Sequence, residues 1–229
     1  MGNDVITANF DDVRGKVERR CAENNIDPKS IIIVGVTKTL AAQIATNGVN
    51  AGLTHLGENR VQEAEGKIPD VEPRPIWHLI GHLQKNKARK AAELFDIIES
   101  VDSLELADVL SKRAVELNKT LEVYIQVNSS GEDSKSGFGP EELIKSAVEI
   151  NKKHGLNLTG LMTIGPWTTD EDMIRESFEL TKNLFGELKN ELGVKIEKLS
   201  MGMSGDYELA LDYGANVLRI GTAIFGQRT

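Results

Sequence analysis

Short apolar runs alternate with longer amphipathic stretches along the whole chain. Residues 30–37 (SIIIVGVT) are typical of the short runs, because they are apolar, rich in β-branched residues and too short for a stable helix. Such runs predict strands of a parallel sheet whose two faces are both covered. The eight predicted strands are Ser30–Thr37, Thr54–Gly57, Pro75–Ile80, Phe95–Val101, Leu121–Val127, Leu158–Ile164, Glu197–Met201 and Asn216–Ile220.

The stretches between these runs have the periodicity of amphipathic helices. Gly139 and Pro140, followed by two glutamates, place a proline and acidic side chains in a first helical turn, where both are favoured. The predicted helices are Leu40–Ala51, Asn59–Gly66, Gln84–Glu93, Ser103–Asn118, Pro140–His154, Asp170–Leu192 and Ser204–Tyr213, with an additional N-terminal helix over Thr7–Asn24.

The alternation of strands and helices predicts an α/β fold built from βαβ units. Each predicted strand except the last is followed by a helix, and a closed (β/α)8 TIM barrel satisfies this count. An open, doubly wound sheet is the alternative. No linker, low-complexity tract or break in composition divides the chain, so residues 1–229 are expected to form a single domain. A barrel would place the functional site at the carboxyl ends of the strands.

Composition and charge narrow the functional classes. The chain of 229 residues has 27 Lys and Arg against 35 Asp and Glu, a formal net charge of −8, which argues against a dedicated nucleic-acid-binding or membrane-surface protein. A single cysteine, Cys21, cannot form an internal disulfide, and this fits a reducing compartment. The N-terminus does not resemble a targeting segment, and no apolar run approaches the ~20 residues of a membrane span. We therefore expect a cytoplasmic protein.

Lys38 is the most informative residue at the predicted strand ends. It follows an apolar strand, so its ammonium would lie at the mouth of a barrel of low dielectric constant. Desolvation lowers the pKa of a lysine, and a partly neutral lysine is a nucleophile toward carbonyl groups. The alternative is that Lys38 simply points outward into solvent.

Two small-residue loops follow the last two predicted strands. Residues 200–205 (SMGMSG) lead from a strand into a helix, and Gly221-Thr222 forms a second turn. Exposed backbone N–H groups at a helix N-terminus bind anions, and barrels often bind phosphate with the loops after strands seven and eight. The glycines could instead serve only to form tight turns. A lysine facing a phosphate site suggests a phosphorylated carbonyl compound as the ligand.

Other chemical signals are weak. No histidine pair has the spacing of an HExxH motif and there is no cysteine cluster, so no metal site is predicted. The basic segment Gln84–Lys90 lacks interleaved aromatic residues and is interpreted as a solvated helix face.

Seven segments, in order along nearly the whole chain, resemble the pyridoxal phosphate homeostasis proteins, also called the YggS/PROSC family. The fold of this family is similar to the barrel domain of alanine racemase. The matching segments are 33–38 (IVGVTK), 55–63 (HLGENRVQE), 77–87 (WHLIGHLQKNK), 127–138 (VNSSGEDSKSGF), 160–166 (GLMTIGP), 199–211 (LSMGMSGDYELAL) and 219–226 (RIGTAIFG).

The resemblance implies a role for each of ten residues. Lys38 would form the internal aldimine with pyridoxal 5′-phosphate (PLP), and Arg219 would face the pyridine nitrogen. Ser200 or Ser204 would hold the phosphate, with the backbone around Gly202, Gly221 and Thr222. Asn59 and His82 would line the other edge of the ring, and Met162 would pack nearby. The implied function is intracellular PLP (vitamin B6) homeostasis.

The resemblance also implies that the protein binds its cofactor without turning over substrates. A guanidinium never gives up its proton in a protein, so Arg219 would leave the ring nitrogen unprotonated and the cofactor a poor electron sink. Alanine racemases use a second acid/base, a tyrosine from an additional β domain, for which this chain has no room after its eighth strand. We therefore expect no catalytic residue and a monomer.

Two alternatives stay open on the sequence alone. One is a PLP-dependent enzyme, such as a weak amino-acid racemase or a lyase. The other is a class I aldolase-type barrel that uses Lys38 on a sugar phosphate without a cofactor. In the PLP-homeostasis reading, apo forms of PLP-dependent enzymes are possible recipients of the cofactor.

Overall fold

Eight parallel strands form a closed barrel in which each strand pairs with its neighbours in chain order. The computed structural model describes residues 2–132, 135–193 and 195–227. The (β/α)8 prediction is confirmed and the open sheet is excluded, because β1 pairs with both β2 and β8. The strands are β1 (Ile32–Val36), β2 (His55–Glu58), β3 (Ile76–Leu79), β4 (Ile97–Val101), β5 (Leu121–Val127), β6 (Leu156–Thr163), β7 (Lys198–Ser200) and β8 (Val217–Ile220).

The helices surround the barrel. They are α1 (Asn3–Glu23), α2 (Ala42–Asn50), α3 (Val61–Lys67), α4 (Ala88–Leu94), α5 (Leu104–Glu116), α6 (Pro140–Asn151), α7 (Glu171–Leu192), α8 (Tyr207–Asp212) and α9 (Thr222–Phe225). The prediction that no helix follows the last strand is wrong, because α9 follows β8. A helix of four residues is too short to produce a periodic signal in the sequence. The helix expected to begin at Ser204 begins at Tyr207, which leaves a longer loop after β7.

The N-terminal helix α1 closes the ring of helices on the side where α9 is short. Its buried side chains lie three or four residues apart, as one face of a helix requires: Ile6, Phe10, Val13, Val17 and Cys21. This face packs against α2, α8 and α9. The additional helix therefore joins the first and the last βα units of the barrel.

The interior of the barrel is only partly apolar. One inner cluster consists of five buried hydrophobic residues, Val34, Ile97, Tyr124, Met162 and Val217. Buried polar side chains also lie on the strands of the barrel, among them His78, Glu99, Ser200 and Arg219. Burial of a charged group is costly unless the group is paired. The hydrogen bonds and ion pairs of these side chains are therefore described below.

Two searches of the described residues bear on the broad functional class. No helix among them combines the length and apolar character needed to cross a membrane. No group of three or more His, Cys, Asp or Glu side chains in the same ranges is arranged to hold a metal ion.

Candidate functional site

Lys38 lies directly beyond the carboxyl end of β1. The strand ends at Val36, Thr37 is fully buried, and Lys38 is half-buried in the turn that follows. The backbone N–H of Thr37 donates to the carbonyl oxygen of Gly57 on β2 at 3.0 Å, which fixes the start of this turn against the neighbouring strand. Lys38 therefore directly follows the first strand of the barrel, at the carboxyl end where the site is expected from the sequence.

Arg219 is buried inside the barrel on β8, with only 4% of its side chain exposed. Its Nη1 donates to the Ser200 hydroxyl at 2.5 Å, and its Nη2 donates to the carbonyl oxygen of Thr163 at 2.7 Å. The Glu99 carboxylate lies 3.9 Å from Nη1 and supplies the opposite charge. Burial lowers the pKa of Arg219, whereas the negative charges of Glu99 and Asp206 oppose that shift.

From Arg219, hydrogen bonds continue through the barrel toward its opposite end. The Ser200 hydroxyl donates to Glu99 Oε2 at 2.5 Å, and His78 Nδ1 donates to Glu99 Oε1 at 2.6 Å. His78 Nε2 is 2.8 Å from Nδ1 of His55, at the start of β2. Glu99 and His78 were missed in the sequence, although an acid within the apolar run of residues 95–101 was a usable signal.

Burial and hydrogen-bond partners shift the pKa values of Glu99 and His55 in this series of hydrogen bonds. Burial raises the pKa of Glu99, but the hydrogen bond from His78 and the electrostatic interactions with His78 and Arg219 outweigh it, so the net pKa of the carboxyl is lowered. For His55, burial and the neighbouring His78 lower the pKa from 6.5 to about 4. His55 is therefore neutral near pH 7, and Glu99 carries the negative charge that Arg219 requires.

The lowered pKa of His55 predicts a stability that falls with acidification. Between pH 6.5 and about 4 the unfolded chain binds a proton at this histidine that the folded chain does not, so stability falls as the pH falls. We expect the difference to be about 1–2 kcal/mol after allowance for solvent screening of this partly exposed group. Urea unfolding of wild type and His55→Asn at pH 7 and pH 4.5 measures it. Parallel losses in the two proteins would contradict the assignment.

Ser204 joins the loops that follow β7 and β8. Its Oγ accepts the backbone N–H of Gly221 at 3.1 Å and that of Ala223 at 3.2 Å. Because both lone pairs of the hydroxyl are then engaged, its proton is left to donate to a ligand. Ser200 differs, since its hydroxyl is fully buried between Arg219 and Glu99.

Gly202 allows the loop after β7 to lie close to α8. Its φ of +91° is in the left-handed region, and a Cβ there would lie 2.6 Å from the Cβ of Ala210. Its carbonyl accepts the N–H of Arg219 at 3.0 Å. Not every N–H of the loop is available for an anion, because that of Met203 donates to Asp206 Oδ1 at 2.5 Å.

The remaining predicted site residues occupy three different places. Asn59 and His82 line a cavity of about 410 Å³ beyond the ends of β2 and β3, and His82 Nδ1 contacts Asp102 Oδ2 at 2.7 Å and Ser136 Oγ at 3.1 Å. Thr222 is exposed on the rim at the start of α9. Met162 is fully buried in the inner cluster of the barrel, below the rim.

A family model and curated relatives match nearly the whole chain. The model for the alanine racemase N-terminal domain matches residues 21–229. The pyridoxal phosphate homeostasis protein of Haemophilus influenzae is 39% identical, over 97% of this chain and 96% of its own length. That of Schizosaccharomyces pombe is 35% identical, over 90% of this chain and 88% of its own length.

Solved structures agree with this placement. PipY of Synechococcus elongatus, solved with PLP bound, has a TM-score of 0.81 and 35% identity, covering 92% of this chain and 100% of PipY. The alanine racemase of Clostridium difficile, 21% identical with a TM-score of 0.79, covers 98% of this chain and 56% of the racemase, and shows the shared fold alone. With curated relatives matched almost end to end, the chain belongs to the family of pyridoxal phosphate homeostasis proteins.

Proposed function

We propose that this protein binds PLP through a Schiff base to Lys38 and holds it for intracellular PLP homeostasis. One observation carries the proposal: three functional groups lie on three consecutive strands of a closed barrel. The Ser204 hydroxyl follows β7, the Arg219 guanidinium belongs to β8, and the Lys38 amine follows β1. The relatives named for PLP homeostasis and the PLP-bound structure of PipY support the same ligand. PLP supplies an aldehyde that condenses with a lysine amine, forming a carbon–nitrogen double bond and releasing water.

The described residues fit the chemical groups of PLP. Lys38 supplies the amine, and the Ser204 hydroxyl with the loop around Gly202, Gly221 and Thr222 suits the phosphate. Ser204 is a better phosphate ligand than Ser200, whose hydroxyl already lies between two buried charges. Among the described residues, Ser200 and Thr163 accept two of the five N–H groups of Arg219, which leaves donors for a ring nitrogen.

The same contacts favour holding the cofactor over catalysis. Arg219 donates to a ring nitrogen without protonating it, so electron withdrawal from a bound amino acid stays weak. A racemase needs a second acid/base, and the tyrosines of this chain do not offer one at the rim. Tyr124 is enclosed in the barrel, where burial raises its pKa, while Tyr207 is buried on α8 and Tyr213 packs against Phe178.

The proposal is tested by incubating the purified protein with PLP. We expect a visible absorbance band, an adduct that borohydride reduction makes permanent, and a modified peptide that contains Lys38. The loaded protein should reactivate the apo form of a PLP-dependent enzyme and should not turn over amino acids. Absence of the band, or robust racemisation that depends on Lys38, would overturn it.

The phosphate assignment is tested with Ser204→Ala. Loss of a hydrogen bond to a charged group costs about 1.5–3 kcal/mol, so the affinity for PLP should fall about tenfold to a hundredfold. The affinity for pyridoxal, which has no phosphate, should change little, and this comparison is the control. Equal losses for the two ligands, measured by absorbance titration, would contradict the role of Ser204.

A further inference from the structure

The turn that carries Lys38 has a strained backbone. Thr39, the next residue, has a φ of +65°, in the left-handed region that β-branched residues rarely occupy. A conformation of this kind persists only where the surrounding structure holds it, and such residues concentrate at functional sites. The question is therefore which side chains hold the turn.

Hydrogen bonds hold the backbone on both sides of Lys38. Before it, the Thr37 carbonyl accepts from Lys67 Nζ at 2.7 Å; after it, the Thr39 N–H donates to Glu63 Oε1 at 2.5 Å. The same Nζ donates to this Glu63 oxygen at 2.7 Å. One ammonium group on α3 thus links the residue before Lys38 to the residue after it.

Glu58 completes this set of buried charges. Its Oε1 accepts from Lys67 Nζ at 2.7 Å and from the Thr37 hydroxyl at 2.6 Å. Glu58 is fully buried and Lys67 is 5% exposed, so neither charge has water as an alternative partner. Burial raises the pKa of Glu58, while the hydrogen bonds from Lys67 and Thr37 oppose that shift. Directional bonds between buried charges of this kind favour a single geometry.

We propose that Lys67, acting with Glu63 and Glu58, is a positioning residue that holds the strained turn so that the Lys38 amine is directed toward the bound aldehyde. The inference rests on the proposed function and adds to it three residues that act on the turn around Lys38 and are not assigned to any group of the cofactor. It requires the amine to lose reactivity when the turn relaxes, even in a protein that stays folded. Pre-organisation of this kind lowers the entropy cost of bond formation.

The first test compares Lys67→Met with Lys119→Met. Lys119 is a matched control, because it is half-buried and its Nζ caps two backbone carbonyls, those of Ala92 and Phe95, before β5 at the opposite end of the barrel. Stopped-flow absorbance should show a rate constant for PLP uptake at least about tenfold lower in Lys67→Met, against a change within about twofold in Lys119→Met. Both are measured at temperatures where they are equally folded. Equal rates would overturn the proposal.

Three milder variants, at Glu63 and Thr39, keep the proposal testable if Lys67→Met does not fold. Glu63 is 25% exposed. Glu63→Ala removes the acceptor of the Thr39 N–H and should slow uptake, whereas Glu63→Gln keeps an acceptor oxygen and should recover most of the rate. Thr39→Gly keeps the backbone N–H and adopts a φ of +65° without strain, so its melting temperature and its rate of uptake should be no lower than those of wild type. A Glu63→Ala protein with the wild-type rate would overturn the proposal.

A readout without PLP separates this inference from the proposed function. Acetylation of Lys38 by a small acylating reagent, followed by mass spectrometry and expressed relative to Lys119, reports the reactivity of the amine itself. Wild type that takes up no PLP would refute the proposed function. Unchanged relative acetylation of Lys38 in Glu63→Ala would refute the positioning role, whether or not PLP binds.

Discussion

Replacing Lys38 with alanine is expected to abolish covalent uptake of PLP. In the proposed function its amine condenses with the aldehyde, and Lys38 lies half-buried on the rim, where β1 adjoins β2 and β8. The variant should show no visible band after incubation with PLP and no adduct after borohydride reduction. Residual binding through Arg219 and Ser204 would be reversible, and at least about tenfold weaker than in wild type, which corresponds to ~1.4 kcal/mol.

The matched control is Lys29→Ala. Lys29 is exposed and precedes β1, so it lies at the end of the barrel opposite the proposed site. The Lys29→Ala protein should take up PLP as wild type does. This result would show that uptake requires Lys38 in particular and is not lost when any lysine is removed. A full equivalent of reducible adduct in Lys38→Ala would place the covalent site elsewhere.

Replacing Glu99 with alanine should cause the largest loss of stability. The substitution leaves the Arg219 guanidinium buried beside a Ser200 hydroxyl without the carboxylate that balances its charge. Removing one member of a buried ion pair typically costs about 3–5 kcal/mol, a large part of a total stability of about 5–15 kcal/mol. Urea unfolding at pH 7 measures the loss.

Two comparisons identify the cause of that loss. Glu187 is exposed on α7, and Glu187→Ala should change the free energy of unfolding by no more than about 0.5 kcal/mol. A double variant, Glu99→Leu with Arg219→Met, removes both charges and should be more stable than Glu99→Ala alone. If the double variant loses as much free energy of unfolding as Glu99→Leu and Arg219→Met lose in sum, the two charges do not act as a pair.

The sequence predicts the barrel well because each strand repeats the same simple signal. Runs such as residues 121–127 are apolar and bounded by turns, and the observed β5 has the predicted ends. The ends of helices are less predictable, as α4 shows. It begins at Ala88 after a short 3-10 turn over Lys85–Lys87, whereas the periodicity extends to Gln84.

The chemistry of the rim is predictable only in part. Lys38 and the loop around Ser204 are adjacent to recognisable strand ends, so the barrel rule alone locates them. Glu99, His78 and Ser200 come from β4, β3 and β7, and their contacts depend on how far each strand is displaced relative to its neighbours. A sequence does not specify that stagger. For the same reason, it could not distinguish Ser200 from Ser204 as a phosphate ligand.

Lys67 was overlooked for a different reason. A lysine in the last turn of a short helix is ordinarily solvated and interacts favourably with the helix dipole. Only the folded chain shows that α3 directs this side chain inward, toward the carbonyl oxygen of Thr37.

The N-terminal helix links the two loops that are proposed to hold the phosphate. It packs against α8 and α9, the two helices that extend from the loops around Ser204 and Gly221. We therefore expect substitutions on the inner face of α1 to shift both loops together and to change the affinity for a phosphate group, without any change in the residues proposed to hold it.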